Sequence, residues 1–190
     1  MKIIFATGNE NKLKELRSVL PDGMELLGLR DVGIHDEIPE DHDTLEENAI
    51  QKAQYVLDRT GLTCFADDTG LEVDALNGAP GVYSARYAGE QKNAAANMAK
   101  VLEEMAGQTN RSARFRTVIA LLGKNIEMTF EGVVEGEILS EPQGTEGFGY
   151  DPIFKPDGEE RSFAEMPLAT KNTMSHRARA FRKLLDHFGS

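Results

Sequence analysis

The sequence has few of the residues that mark secreted, membrane-bound or nucleic-acid-binding proteins. It contains one cysteine, Cys64, so no disulfide framework can form within the chain. No apolar run approaches the length of a membrane span, and Met1 to Ala6 is too short for a signal peptide. We therefore expect a cytoplasmic protein in a reducing environment, without a membrane partner.

Basic residues are also in the minority. The chain has 21 Lys and Arg against 32 Asp and Glu, a formal net charge of −11 at pH 7. Phosphate contacts along a nucleic acid need a basic surface, so we expect no nucleic-acid partner. A small phosphorylated ligand is still compatible, because a few lysines and a metal ion form a local positive site. The 190 residues suffice for one domain, residues 1–190, which can fold as two lobes.

Two adjacent carboxylates follow a short apolar run. Leu62 to Ala66 predicts a buried strand, and Asp67-Asp68-Thr69-Gly70 comes directly after it. Neighbouring strand residues point to opposite faces, so we expect the strand to end before the two acids. The acids would then lie at the carboxyl edge of an α/β sheet, where a cation such as Mg²⁺ can hold both ionised. A solvated turn is the alternative.

A second polar turn precedes the first helix. Lys2 to Ala6 predicts a strand, and Thr7-Gly8-Asn9-Glu10-Asn11-Lys12 leads into a helix with Leu13, Leu16 and Leu20 at helical spacing. Backbone N–H groups and a lysine at a helix start are typical of a phosphate site. The P-loop spacing is absent. A capped helix start with a solvated lysine is the alternative.

An acidic loop precedes the second helix. Asp31 to Asp43 is irregular, and Thr44-Leu45-Glu46-Glu47 is a capping box that begins a helix ending at Gly61. Asn48 and Lys52 lie one turn apart beside its apolar face. Both can therefore reach a ligand, or both lie on the surface.

The remaining chain predicts a helix over Gln91 to Met105 and a hairpin of two long antiparallel strands around Gly123-Lys124-Asn125. The glycines of Gly147-Phe148-Gly149-Tyr150-Asp151-Pro152 let a backbone approach a flat ligand, whereas aromatic residues that fill the core are the alternative.

A last helix begins near Ser175, with His176 and Arg177 in its first turn. The helix dipole disfavours cations at that end. A bound ligand with acceptor atoms, or a carboxylate elsewhere in the fold, would explain their position.

Taken together, these segments resemble the inosine/xanthosine triphosphate pyrophosphatase family nearly from end to end. The resemblance rests on six motifs in family-like order: Ala6-Thr7-Gly8-Asn9 with Lys12, Glu47-Asn48-Ala49 with Lys52, Ala66-Asp67-Asp68-Thr69-Gly70-Leu71, Gly78 to Tyr87, Gly147 to Phe154, and Ser175-His176-Arg177. Many relatives carry Ser at the position of Thr69, where the hydroxyl is retained.

The resemblance implies an α/β fold of two lobes around a long mixed β-sheet flanked by helices, with a nucleotide cleft between the lobes, and a homodimer. It also implies Mg²⁺-dependent hydrolysis of ITP, dITP and XTP to the nucleoside monophosphate and pyrophosphate. A pyrophosphatase for other modified nucleotides and a non-catalytic nucleotide sensor are the alternatives.

The residue roles follow from the same resemblance. Asp68 is the expected general base, and the expected metal ligands are Asp68, Glu40 and Asp67, with a neighbouring acid of the loop as the alternative to Glu40. The expected triphosphate contacts are Thr7, Gly8, Asn9, Glu10, Asn11, Lys12 and Thr69, and Lys52 is a further expected substrate contact. The expected base-recognition residues are Phe148, Gly149, Tyr150, Asp151, Lys171, His176 and Arg177.

Overall fold

A computed structural model of the chain describes residues 2–189. The strands are β1 (Lys2–Phe5), β2 (Glu25–Leu27), β3 (Cys64–Val73), β4 (Pro80–Gly81), β5 (Ser112–Gly123), β6 (Ile126–Ile138) and β7 (Phe154–Pro156). The α-helices are α1 (Glu10–Arg17), α2 (Leu45–Thr60), α3 (Ala94–Glu104), α4 (Leu168–Met174) and α5 (His176–Gly189). In this range, no helix has the length and apolar character needed to cross a membrane.

The strands form one mixed sheet, so the predicted α/β class is confirmed. Its order is β2-β1-β3-β5-β6-β7, and β4 pairs with β3 outside that path. Strand β1 runs parallel to β2 and β3, with Ile4 opposite Cys64. Strands β4 and β7 run antiparallel to β3 and β6. The predicted hairpin is present: Lys124 and Asn125 connect β5 to β6, and Asn125 has a φ of 64°.

Helix starts follow the capping chemistry of the sequence. The Asn9 side chain accepts from the N–H groups of Asn11 and Lys12, at 3.0 and 3.2 Å, and so begins α1. The Thr44 hydroxyl oxygen accepts from the N–H of Glu47 at 3.2 Å, which confirms the predicted start of α2. Gly61, with a φ of 66°, ends α2 as predicted.

The chain divides into two compact units, each built from separate segments. Unit 1 comprises the chain up to Asp68, Thr117–Gly132 and the chain from Arg177 onward. Its core is aliphatic and aromatic, with the rings of Phe5 and Phe65 stacked at 4.6 Å and Phe181 beside them.

Unit 2 comprises Thr69–Arg116 and Val133–His176. Its core surrounds Phe115, whose ring centroid lies 4.6 Å from that of Phe154 and 4.6 Å from that of His176. Helix α4 and the short strands β4 and β7 were not predicted from the sequence.

The predicted end of the third strand is wrong. Strand β3 continues through Asp67 and Asp68 to Val73, so the two acids lie within a strand rather than at its edge. Asp67 binds Lys12, and Asp68 binds Lys52. Because each acid has its own cation, the backbone can remain extended through both residues without leaving an unpaired charge on either face.

A substitution at Gly70 in β3 tests whether the strand continues past the two acids and packs closely against β4. A Cβ atom on Gly70 would lie 2.7 Å from the carbonyl oxygen of Gly81, and this contact is with backbone that cannot rotate away. We expect Gly70→Ala to lower the free energy of unfolding by about 2 kcal/mol, a typical cost of overpacking. Urea denaturation measures this. Gly189→Ala is the control, since a Cβ there meets no atom within 4 Å. An unchanged unfolding midpoint for Gly70→Ala would contradict the close approach of β3 and β4.

Candidate active site

Asp67 lies at the centre of a buried ionic network in unit 1. Its Oδ1 accepts from Lys12 Nζ at 2.7 Å, and its Oδ2 accepts from Arg177 Nε at 3.0 Å. Arg177 Nη1 also donates to a carboxylate oxygen of Glu15. The network therefore joins the first turns of α1 and α5 to β3, and Arg177 has the carboxylate partner that its position in a helix start requires.

The charges of this network shift the pKa of each member. Burial alone would raise the pKa of Asp67, but the charges of Lys12, Arg177 and Lys52 outweigh it and hold that pKa well below its usual range. Burial lowers the pKa of Lys12, and Asp67 only partly offsets this. Burial opposes the charged form of Arg177 as well, but Glu15 and Asp67 raise its pKa.

Glu15 was not among the residues predicted from the sequence. It lies on α1 between Leu13 and Leu16, and all three are buried. The sequence signal that could have identified Glu15 is an acid on the apolar side of a short helix. Such an acid requires a buried cation as its partner.

Asp68 belongs to a second network on the opposite face of β3. Lys52 Nζ donates to Asp68 Oδ1 at 2.9 Å and to Glu40 Oε1 at 2.6 Å. Asp68 Oδ2 is buried and has no hydrogen-bond partner among residues 2–189. Burial raises the pKa of Asp68, and the charge of Lys52 does not fully reverse that increase.

Helix α2 holds the loop that carries Glu40. Asn48 Oδ1 accepts from the N–H of His42 at 2.9 Å, and Asn48 Nδ2 donates to the His42 carbonyl at 3.1 Å. Gln51 contacts Asp41 in a similar way. Its Oε1 accepts from the backbone N–H of Asp41, and its Nε2 donates to the Asp41 carboxylate. Asn48 is therefore used to fasten this loop, while Lys52, one turn later, reaches the carboxylates.

The carboxylates of Glu40 and Asp68 fit a hard divalent cation. Residues 2–189 contain no cluster of three or more His, Cys, Asp or Glu side chains arranged to hold a metal. Mg²⁺, however, is commonly bound through one or two carboxylates, with water and substrate phosphates as the other ligands. The unpartnered Asp68 Oδ2 is one available oxygen. Both oxygens of Asp67 accept from cations, so Asp68 and Glu40 suit the metal better. The metal role of Asp67 stays a prediction.

The predicted triphosphate turn is an exposed connection between β1 and α1. Thr7 Oγ1 accepts from the N–H of Asn9 at 3.1 Å, and Asn9 in turn caps the helix. Gly8, Glu10 and Asn11 are exposed. Of the residues predicted to contact the substrate, Lys12 and Lys52 lie in the two ionic networks. Thr69, the first residue of unit 2, is half-buried in β3.

The residues predicted to recognise the base include a third ion pair, within unit 2. Asp151 Oδ2 accepts from Lys171 Nζ at 2.6 Å and from the N–H of Phe148 at 2.9 Å. The ammonium of Lys171 also lies 5.1 Å from the centroid of the Phe148 ring. Gly147, with a φ of 73°, permits this arrangement, because a Cβ there would lie 2.1 Å from Asp151 Oδ2.

The other predicted base contacts are core residues of unit 2 or belong to unit 1. Tyr150 donates from its hydroxyl to the carbonyl of Ser84 at 2.7 Å, and burial raises its pKa. His176 is buried and stacked on Phe115. Gly149 has a φ of 63° and open space at its Cα. Tyr150 therefore fits the core-filling alternative, and Arg177 lies in the Asp67 network. Their contacts with a base stay predictions.

The Asp67 network predicts a pH-dependent stability. Because the pKa of Asp67 is depressed in the folded state, its charge stabilises the protein at pH values above the unfolded-state pKa of about 4. This stabilisation is lost progressively as the pH falls below that value toward the folded-state pKa. We expect Asp67→Asn to cost about 3 kcal/mol near pH 7, because Lys12 and Arg177 lose a buried partner. Urea unfolding should show that the gap to the wild type is constant between pH 7 and 5 and narrows below pH 4. Asp22→Asn, at an exposed position, is the control. A gap of the same size at pH 3.5 and pH 7 would contradict the depressed pKa.

Comparison with known proteins gives a consistent result. A profile of the Ham1 family matches residues 3–187. The chain is 54% identical to the dITP/XTP pyrophosphatase of Flavobacterium johnsoniae over 98% of this chain and 97% of that one. It is 55% identical to the dITP/XTP pyrophosphatase of Christiangramia forsetii over 98% of both chains. The structure of a HAM1 protein from Coxiella burnetii matches with a TM-score of 0.90 at 40% identity, over 100% of this chain and 98% of that one. The chain belongs to the Ham1 family.

Proposed function

We propose that the protein hydrolyses the non-standard purine triphosphates ITP, dITP and XTP to the nucleoside monophosphate and pyrophosphate, with Mg²⁺ as cofactor. The observation that carries this proposal is Asp68, a buried carboxylate with an unpartnered oxygen beside Lys52 and Glu40. The names of the Flavobacterium and Christiangramia relatives support the same substrates.

Asp68 acts as the general base. A water molecule attacks the α-phosphorus, its proton passes to the Asp68 carboxylate, and the bond from the α-phosphorus to the oxygen that bridges it to the β-phosphorus breaks. Pyrophosphate leaves and the nucleoside monophosphate remains. Without a bound metal, burial raises the pKa of Asp68 and so favours its protonated form.

The cations of unit 1 bind the triphosphate. Lys12 and the backbone of Thr7 to Asn11 hold the departing pyrophosphate, whose charge grows as the bond breaks. Glu40 and Asp68 are the residues that would hold a Mg²⁺ ion, and such an ion would neutralise the phosphate charge. Lys52, which donates to both carboxylates, is a second lysine of unit 1 that can donate to the phosphates.

The Asp151 site of unit 2 selects the base. The ring of Phe148 stacks on the purine, and the ammonium of Lys171 donates to the keto oxygen at position 6 of hypoxanthine or xanthine. Adenine carries an amino donor there, so ATP would leave a buried donor unpaired. Asp151 holds Lys171 in place through its 2.6 Å contact.

The protein in this proposal is a cytoplasmic homodimer. Light scattering on the purified chain tests the oligomeric state.

Pyrophosphate release from ITP, dITP, XTP, ATP, GTP and a methylated pyrimidine triphosphate, each with and without Mg²⁺, tests the reaction. Release from the methylated pyrimidine nucleotide alone would indicate the related pyrophosphatase. Tight ITP binding without release would indicate a nucleotide sensor.

Substitution of the general base should separate binding from turnover. We expect Asp68→Asn to retain ITP binding in calorimetry but to lose about 10²–10⁴-fold in kcat, because the amide cannot accept the proton. Asp58→Asn, at an exposed position of α2, should keep wild-type turnover. Wild-type kcat in Asp68→Asn at saturating Mg²⁺ would exclude Asp68 as the base.

Substitution of Lys171 should lower base selectivity. We expect Lys171→Met to lower kcat/KM for ITP by about 10–100-fold while changing that for ATP much less, since only the keto oxygen loses a donor. Lys100→Met is the matched control, because Lys100 in the same unit donates to the Tyr87 carbonyl and lies 4.2 Å from the centroid of the Tyr87 ring. An unchanged ITP/ATP ratio in Lys171→Met would remove Lys171 from base recognition.

A further inference from the structure

The Lys52 ammonium occupies a position suited to a metal ion. It lies 2.6 Å from Glu40 Oε1 and 2.9 Å from Asp68 Oδ1, so one cation is paired with both carboxylates. The Lys52 side chain is 7% exposed, and that of Asp68 is 11% exposed. Glu40 is half-buried, with its side chain 29% exposed, and these two carboxylates would repel each other without the ammonium between them. Lys52 is therefore needed in the free protein for a reason that does not involve substrate.

A divalent cation at these carboxylates would compete with the ammonium. Mg²⁺ binds oxygen at about 2.0–2.1 Å and requires near-octahedral geometry. An ammonium hydrogen-bonded to the same two oxygens lies in the volume that such an ion and its water ligands need. Its positive charge also opposes the ion directly.

The surroundings allow Lys52 to move while the carboxylates remain in place. Asn48 and Gln51 fasten the loop that carries Glu40, and Asp68 is fixed within β3. Lys52 reaches both acids through a flexible four-carbon stem. Asp68 Oδ2, buried and unpartnered among the described residues, is an oxygen that the ammonium does not use.

We propose that Lys52 is the resident counter-ion of Glu40 and Asp68, which the catalytic metal displaces and which then turns to the substrate phosphates. This inference rests on the proposed metal site of the pyrophosphatase reaction. It adds that the same lysine holds the metal affinity of the nucleotide-free protein low. A bound triphosphate offers the displaced ammonium new acceptors, so metal binding and nucleotide binding support each other.

The first experiment measures the affinity of the nucleotide-free protein for Mn²⁺ alone, by electron paramagnetic resonance of the free ion. We expect Lys52→Met to bind Mn²⁺ at least about tenfold more tightly than the wild type, because a competing adjacent charge is removed. Lys52→Arg, which retains the charge, should bind as weakly as the wild type.

Lys12→Met is the matched control for the loss of a lysine that is paired with a buried carboxylate. Lys12 binds Asp67 rather than Glu40 or Asp68, so we expect a smaller gain than in Lys52→Met. If Lys52→Met does not fold, Lys52→Gln replaces it, since the amide can still donate to Glu40. Equal Mn²⁺ affinities in the wild type and the neutral Lys52 variant would overturn the proposal.

The second experiment needs no variant with a missing charge. Ammonium groups in stable ion pairs exchange slowly enough to be observed in a ¹H–¹⁵N spectrum of protein labelled on lysine Nζ. We expect the Lys52 signal, assigned by its loss in Lys52→Arg, to shift or vanish as Mg²⁺ saturates the protein. The Lys171 signal should not change, because Lys171 is paired with Asp151 rather than with Glu40 or Asp68.

The two results together separate displacement from simple charge repulsion. Tighter Mn²⁺ binding in the neutral variant, with an unchanged wild-type Lys52 signal at saturating Mg²⁺, would overturn displacement. Both experiments measure binding without turnover. They therefore remain decisive if the protein releases no pyrophosphate from any purine triphosphate, a result that would refute the proposed function instead.

Discussion

The structure depends on two adjacent acids of one strand, whose charged side chains lie on opposite faces of that strand. Asp67 and Asp68 are both buried, and neighbouring residues of a strand cannot share a counter-ion on one side. Asp67 is therefore bound by Lys12 and Arg177, and Asp68 by Lys52. Breaking a buried pair by removing one partner typically costs about 3–5 kcal/mol. The positions of α1, α2 and α5 follow from this requirement, because each helix supplies one of those cations.

Unit 2 also buries a charged carboxylate, and two donors bind it there. Asp151 is buried and accepts from a backbone N–H and from the Lys171 ammonium. Gly147 leaves the space that Asp151 Oδ2 fills. Packing holds these donors and acceptors in place before a ligand binds, so they need not reorganise during the reaction. This preorganisation is the usual source of electrostatic catalysis and selectivity. Each unit thus holds its polar groups through charge pairs that also stabilise its fold.

The sequence predicted most of the polar residues but not how they pair. Asp67-Asp68 was recognisable as a chemical centre, and the Thr44 capping box predicted the start of α2. The strand was nonetheless predicted to end at Ala66, because local pattern does not show that cations 55 and 110 residues away bind Asp67. Glu15 was missed for the same reason, since its partner Arg177 lies 162 residues away. Periodicity identifies the face of a residue, whereas long-range ion pairs depend on the tertiary fold.

The charges of unit 1 explain why a metal and a triphosphate would bind together. Lys12, Lys52 and Arg177 carry three positive charges, and their partners Glu15, Glu40, Asp67 and Asp68 carry four negative charges when ionised. The networks alone thus have a net charge of −1, within a chain of net charge −11. A triphosphate meets no positive excess there, despite the buried lysines. A divalent cation at Glu40 and Asp68 changes that local charge to +1. The acidic composition that argues against nucleic-acid binding is therefore consistent with the proposed role of a metal ion in attracting a small polyanion.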